Sequence, residues 1–411
     1  MSEINQIVGE YDKVRRQTVK IANLFEEKDW LKQSMADASP IRWHLGHTSW
    51  FFDHFVLKNH VKNYQSPGKK YDFFFNSYYN LAGKMLARNL RGSDITLTLG
   101  EMMNYRTMID KKILDFLVSQ KKIKNHHLKK VIILGLNHEQ QHQELMLMDT
   151  KNLLFGKKKK ISKRKNRKLS NQLVKNKWMN FKEGIYQIGY HGKKFCYDNE
   201  LPNHKVYLKK FSISTKLVNN EEYLGFIEDR GYSRPELWLS DGWDFIKKNK
   251  IRYPLYWFKE NGKFFRYTLY GVEHLKLKEP VSHISYYEAY AYARWKKKRL
   301  PLESELEIYG KKFKIEGNFL EDNLYEPSQE LKDSCFGNLW QHTSSPYQPY
   351  PGYHHSYDAI GEYNGKFMNN QMVLKGGSAI TPKDHIRNSY RNFFYPHQRW
   401  MYSGIRLAKH L

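Results

Sequence analysis

Asn137-His138-Glu139-Gln140-Gln141-His142-Gln143-Glu144 places two histidines four residues apart inside a run with helical spacing. Positions four apart on an α-helix stand one above the other on the same face. His138 and His142 therefore point at one spot, where two imidazole nitrogens can hold a metal. Val131, Gly135, His138, His142, Leu145 and Asp149 keep the same spacing, so both histidines lie on or beside the stripe that faces a core. A helix from about residue 125 to 154 is expected.

His-Glu-x-x-His is shared with zinc proteases, where the Glu is general base and a third ligand follows a little downstream. Residues 143–160 offer no third histidine, although Glu144 and Asp149 are carboxylates within reach of the same helix. A stronger complement lies about ninety residues upstream. After Ser39, a potential cap, and Pro40, suited to a first turn, the run from Ile41 to Phe55 reads as a second helix. Trp43, His47, Trp50, Phe51 and His54 share one of its faces, with His44 one turn before His47. A metal site in a bundle core takes ligands from separate helices in this way.

At 411 residues the chain is long enough for two domains. Its 30 Tyr, 23 Phe and 10 Trp provide ample apolar surface for a core. No N-terminal apolar segment and no apolar run of roughly 20 residues is found, so no signal peptide or membrane helix is expected. Two cysteines, Cys196 and Cys335, suit a reduced compartment, and a soluble cytoplasmic protein is the expectation. The net charge of +27 comes from lysines spread over the whole chain, as on solvated surfaces, so no nucleic-acid or membrane partner is expected. One dense run stands apart: nine of the twelve residues from Lys157 to Lys168 are basic.

The rest of the first half is helical in texture. Residues from about 5 to 28 read as an amphipathic helix. The aromatic stretch Tyr71 to Tyr79 leads into a short helix ending near Arg88-Asn89-Leu90-Arg91-Gly92. Thr98 and Glu101 form a capping box ahead of a stripe of Met102, Tyr105, Ile109, Ile113 and Phe116. From Trp178 the texture changes to short strands, turns and stiff aromatic loops, an α+β pattern of the kind on which binding surfaces are built. The expected domains are a helical bundle over 1–155, a Lys-rich linker over 156–177 and an α+β domain over 178–411.

Taken together these stretches resemble the iron-dependent sulfoxide synthases of ergothioneine biosynthesis, over nearly the whole chain. In the first half the resemblance rests on Trp43-His44-Leu45-Gly46-His47-Thr48, Asn76-Ser77-Tyr78-Tyr79 and His138-Glu139-Gln140-Gln141-His142. In the second half it rests on a formylglycine-generating-enzyme-like pattern, in Gly337-Asn338-Leu339-Trp340, Gly376-Gly377-Ser378 and Arg391-Asn392-Phe393-Phe394 among others. The resemblance implies a DinB-like four-helix bundle followed by a formylglycine-generating-enzyme/C-type-lectin-like domain, with the active site at their junction.

It further implies that His47, His138 and His142 bind Fe(II), with His44 a neighbour and not a ligand. Three imidazoles on one face leave room for a thiolate, an imidazole and O2, a variant of the facial triad. Tyr79, or its neighbour Tyr78, would supply a phenol proton, with Tyr353 or Tyr357 as the counterparts in another branch. Gln141 would face the imidazole substrate. Arg88 and Arg91 would bind the carboxylate of the thiol, and Phe393 and Phe394 would meet the trimethylammonium group of hercynine. The implied substrates are hercynine, a cysteine-type thiol (cysteine, or γ-glutamylcysteine) and O2; the Phe and Tyr pairs point to free cysteine. No oligomeric state is implied.

The second domain departs from the family at Gln341-His342, where Glu-Trp is usual, and at Leu302-Glu303-Ser304-Glu305-Leu306-Glu307. Ala379 follows Gly376-Gly377-Ser378, so the cysteines of true formylglycine-generating enzymes have no counterpart there. The alternatives are a synthase of ovothiol or selenoneine type using histidine or a selenium donor, a non-enzymatic polyanion-binding protein, and a zinc hydrolase with Glu139 as its base. Ovothiol enzymes carry an added methyltransferase domain, which is not expected here.

Overall fold

Caps and apolar spacing shape the N-terminal half into helices. A computed structural model describes residues 3–120, 123, 125–157, 159–161, 176–354 and 364–411. It divides into two compact units, one holding the described residues up to Lys157 and the other the described residues from 159 onward.

In the first unit α1 spans Glu3–Ala22 and α2 spans Ile41–Phe52. The chain then passes through a π-helical turn at Asp53–Leu57 into the short α3 (Lys58–His60). α4 (Lys69–Phe75), α5 (Leu99–Ser119) and α6 (His126–Gly156) follow. The Thr98–Glu101 capping box opens α5, and the Asn125 side chain accepts from the His127 and Leu128 amides to open α6. α2 packs on α5 and α6, and α1 on the same two helices. Every residue of α2 is buried, which makes it the central rod of the unit.

Several local expectations are corrected. α1 ends at Ala22, with a separate 3-10 turn at Glu27–Asp29. Ser39 does not cap α2; Pro40 is the N-cap and makes no side-chain bond, while Ser39 turns its hydroxyl and amide to other partners. Leu117 takes the last buried position on α5 in place of Phe116. The helix expected to end near Gly92 is α4 alone, followed by loop with 3-10 turns at Asn80–Ala82 and Arg88–Leu90. Gly83 at φ 115° is one reason that segment cannot continue as helix.

The second unit is built of short strands. β1 (Trp178–Phe181) is followed by the hairpin β2 (Gly184–Ile188) and β3 (His204–Leu208), then by β4 (Phe211–Leu217). α7 (Asn220–Glu228) and α8 (Ser240–Lys248) precede the three-stranded meander β5 (Trp257–Glu260), β6 (Lys263–Thr268) and β7 (Gly271–His274). α9 (Tyr286–Trp295) and α10 (Glu303–Gly310) lead to β8 (Trp340–Pro346), β9 (Met372–Lys375), β10 (Asn392–Phe394), β11 (Ser403–Gly404) and β12 (Arg406–His410). One sheet runs β1-β4-β12 and another β10-β9-β8-β11, antiparallel throughout except for the β11–β8 pair. A core of Tyr223, Phe226, Trp257, Tyr292 and Ile405, among others, fills the unit.

The departures on α10 and β8 are accommodated within this unit. Glu303 pairs with Arg391, Glu305 with Arg299 and Glu307 with Lys375. Gln341 accepts from the buried Arg406 guanidinium at 2.6 Å and donates to the Cys335 carbonyl, so its amide serves both neighbours without a charge. Residues 159–161 are attached here, with Ile161 donating its amide to the Leu269 carbonyl at 2.8 Å. Most of the basic run Lys157–Lys168 lies outside the described residues. Among the described residues no helix is long and apolar enough to cross a membrane.

Candidate metal centre

α2 and α6 bring three histidines together. His138 Nε2 lies 3.1 Å from His47 Nε2 and 3.0 Å from His142 Nε2, and all three rings are essentially buried. Among the described residues this is the one group of three side chains of metal-binding type whose donor atoms converge, all within 4.8 Å of one another. Glu144 and Asp149, the carboxylates the spacing left open as ligands, do not join it.

The donor atoms are fixed from behind. His47 Nδ1 donates to the Phe75 carbonyl at 2.6 Å, which leaves its Nε2 lone pair facing the cluster. The Phe75 carbonyl is free to accept because α4 ends there and its last carbonyls lack helical partners. Trp43 Nε1 uses the preceding one, on Phe74, at 2.9 Å. This approach depends on Gly46: a Cβ there would sit 2.1 Å from the Phe75 ring. The His47 ring is stacked on Trp43 at 4.5 Å between centroids and has Trp50 near-parallel at 5.8 Å. Burial pushes the pKa of His47 and His142 well below the ordinary imidazole value and that of His138 to about 3, and neighbouring histidines add to the shift. All three are thus neutral at neutral pH, as ligands must be.

A metal fits this donor set. At a metal–nitrogen bond of about 2.1 Å, ligands at right angles lie about 3.0 Å apart and ligands at a tetrahedral angle about 3.4 Å apart. The separations of His138 Nε2 from His47 Nε2 and His142 Nε2 match ligands at right angles on one ion.

Glu139 turns elsewhere. One residue past His138 it projects away from the cluster, fully buried, between Arg15 at 2.8 Å and Arg106 at 2.7 Å. Burial alone would raise its pKa, but the two guanidiniums hold it at about 2. A carboxylate clamped in this way is a structural counter-ion, which removes the ground for a zinc hydrolase using Glu139 as base.

The remaining candidates divide between the units. In the first, Tyr79 is fully buried, with its ring 5.7 Å from Trp50 and 5.1 Å from Phe55, one ring removed from His47. Tyr78 is half-buried against it at 4.7 Å. Gln141 is half-buried on α6 beside His142. Arg91 is buried at 4% exposure, lies 3.5 Å over the Trp43 ring and donates to Ser39 Oγ at 3.0 Å. Among the described residues it pairs directly with no carboxylate. Burial pushes its pKa well below the usual value, the nearby charge of Arg88 adds to this, and Asp149 opposes it only from a distance. Arg88 is exposed, so the two arginines differ in environment.

In the second unit, Phe393 and Phe394 are half-buried on β10, Phe393 stacked on Tyr347 at 4.0 Å and Phe394 edge-on to Trp400 at 6.1 Å. Tyr353 donates its phenol to Asp198 at 2.8 Å, and Tyr357 lies outside the described residues. Sequence reasoning missed Gly46, the Phe75 carbonyl and the partners of Glu139. A glycine one residue before a histidine in an interior helix was the available signal for the first, and arginines at core-facing positions of α1 and α5 for the last.

The chain belongs to the family of the sulfatase-modifying factor enzyme 1-like domain, whose pattern matches residues 170–311 and 325–411, more than half of its length. It is 30% identical over 244 residues to the hercynine oxygenase of Mycolicibacterium thermoresistibile, a match covering 52% of this chain and 54% of that protein. It is 31% identical over 238 residues to the hercynine oxygenase of Mycobacterium tuberculosis, covering 51% and 55%. To ergothioneine biosynthesis protein 1 of Schizosaccharomyces pombe it is 27% identical over 238 residues, covering 52% of this chain and 28% of that one. The chain spans about half the length of the hercynine oxygenases that it matches.

Proposed function

We propose that this protein is an O2-dependent, Fe(II)-containing sulfoxide synthase that joins the sulfur of a cysteine-type thiol to the imidazole of hercynine. In the overall change hercynine loses a ring C–H, the thiol loses its S–H, and O2 supplies the sulfoxide oxygen and one water. The observation that carries the reading is the convergence of the Nε2 atoms of His47, His138 and His142 in a buried cluster. The similarity to proteins named hercynine oxygenase supports the choice of substrate.

Iron bound by these histidines would supply open coordination positions and carry electrons from the two substrates to O2. Around it, the chain's own groups bind and orient. Arg91, a buried guanidinium with no carboxylate partner among the described residues, takes the carboxylate of the thiol substrate, and the exposed Arg88 adds charge at the rim. Tyr79 is the phenol that gives a proton during carbon–sulfur bond formation, with Tyr78 at its side. Gln141 orients the imidazole substrate. Phe393 and Phe394 offer aromatic faces to the trimethylammonium group. In this reading residues 1–155 are a DinB-like four-helix bundle, 156–177 a linker and 178–411 a domain of formylglycine-generating-enzyme/C-type-lectin-like fold. The two free cysteines accord with a cytoplasmic setting.

The test is mass spectrometry of a reaction holding iron-loaded protein, hercynine, cysteine and air, with an anaerobic control. A hercynyl-cysteine sulfoxide that needs both iron and oxygen is the expected product. Product with γ-glutamylcysteine alone would reassign the donor. No product with either thiol from protein that binds iron would move the substrate to histidine or a selenium donor.

A further inference from the structure

Behind the proposed ligand His142 runs a second line of groups. His142 Nδ1 lies 2.8 Å from His44 Nδ1, and His44 Nε2 lies 3.4 Å from Asp149 Oδ2. His44 and Asp149 are buried at 2% and 5% exposure. Asp149 Oδ2 also accepts from the Ser39 amide at 2.8 Å, which fixes the carboxylate. Both ends of the line stand on α6, seven residues apart, and its middle stands on α2 three residues before His47.

Two nitrogens 2.8 Å apart share one proton, so the line has two tautomers. In one, His142 Nδ1–H donates to His44 Nδ1, and His44 carries its proton on Nε2, facing Asp149. In the other, His44 Nδ1–H donates to His142, whose own proton then sits on Nε2 and blocks the metal position. The carboxylate of Asp149 accepts and cannot donate, so it selects the first. We propose that His44 and Asp149 are positioning residues that hold His142 in the metal-binding tautomer and strengthen it as a donor. The inference rests on the reading of His142 as a ligand.

The line makes the ligands unequal. His47 donates its rear N–H to a neutral carbonyl, whereas His142 donates to an imidazole backed by a carboxylate. Groups behind a ligand of this kind typically govern metal affinity by about 10–100-fold. Replacing the carboxylate by an amide allows donation to His44 Nε2 and so favours the blocking tautomer, as an Asp→Asn change does behind a catalytic histidine elsewhere.

The experiment is Co(II) titration of the full chain by visible absorption, with Fe(II) affinity from chelator competition. The proteins are the wild type, His44→Phe, His44→Gln, Asp149→Asn and His142→Ala. His44→Phe and Asp149→Asn are expected to weaken both metals roughly 10–100-fold and to shift the Co(II) bands. His44→Gln, whose amide oxygen can accept from His142 Nδ1–H, is expected to recover most of the affinity. Should His44→Phe not fold, the contrast between His44→Gln and Asp149→Asn decides. Wild-type affinity and spectrum in Asp149→Asn and His44→Phe, with binding lost in His142→Ala, would overturn the relay and leave the ligand set standing. Full affinity in His142→Ala would overturn the ligand reading itself.

Discussion

His47 Nδ1 lies 2.6 Å from the carbonyl oxygen of Phe75, a contact between the middle of one helix and the last residue of another. It exists because Gly46 lets the Phe75 ring lie against the α2 backbone. Gly46→Ala puts a methyl 2.1 Å from a fully buried ring, so the end of α4 must move and its carbonyl with it. Metal affinity is expected to fall roughly 10–100-fold, and Gly46→Ala with Phe75→Leu should recover part of it. Wild-type affinity in Gly46→Ala, measured by chelator competition, would show that this carbonyl does not orient His47.

On the proposed ligand set, removing a ligand has a different outcome from removing its support. His47→Ala and His138→Ala are expected to yield folded protein with less than one-tenth of the wild-type iron content by elemental analysis. Stoichiometric iron in either variant would exclude that residue from the ligand set.

Glu139 should behave as a structural ion and not as a base. Glu139→Gln leaves Arg15 and Arg106 buried without their shared counter-charge, and breaking a buried pair in this way costs about 3–5 kcal/mol. A large fall in melting temperature is expected, with metal binding retained in the folded fraction at low temperature. An unchanged melting temperature with lost activity would return Glu139 to a chemical role.

Asp72 gives a pH signature for the first unit. Burial works to raise its pKa, but bonds from His54, Lys58 and Trp50 together hold it well below the usual carboxylate value. A depressed carboxylate contributes stability that is present above its unfolded pKa, about 3.9, and is lost as pH falls from there toward the folded value. Asp72→Asn should therefore lower the melting temperature at pH 6 and approach the wild type below about pH 4. A constant difference across that range would mean that the charge of Asp72 contributes nothing.

If Arg91 binds the thiol's carboxylate, Arg91→Ala should cost roughly 10–100-fold in kcat/KM for the thiol, the range of a hydrogen bond to a charged group. Cysteamine, which lacks the carboxylate, should react equally poorly with wild type and variant. An equal loss with both thiols would assign Arg91 to structure alone.

How much of this was legible depended on how local each cause was. The pairing of His138 with His142 follows from helical pitch, and the burial of His47 from the aromatic face it shares with Trp43 and Trp50, so the triad could be read from spacing and family resemblance. The role of Glu139 could not be read from its motif. One residue past His138 it sits about 100° further around the helix, toward Arg15 and Arg106, which the chain supplies from more than a hundred and more than thirty residues away. The loop carrying Arg88 and Arg91 reads as helix in its residue types, yet the contacts that hold it are non-local: Gln33 bonds the Arg88 carbonyl and the Gly92 amide. Ser39 looked like a cap because sequence shows its proximity to a helix start, not the carboxylate arriving from 110 residues later.

Arg91 has one more consequence. A guanidinium at 4% exposure, resting on an indole and a hydroxyl, pairs directly with no carboxylate among the described residues, and Asp149 acts on it only electrostatically. If Arg91 takes the carboxylate of the thiol as proposed, binding stabilises the folded protein, so a carboxylate ligand should raise the melting temperature where its amide does not. The protein's own thermal stability thereby becomes a gauge of which small molecules it has met. On the proposed reading the substrate would, while bound, also lend a counter-charge to the core.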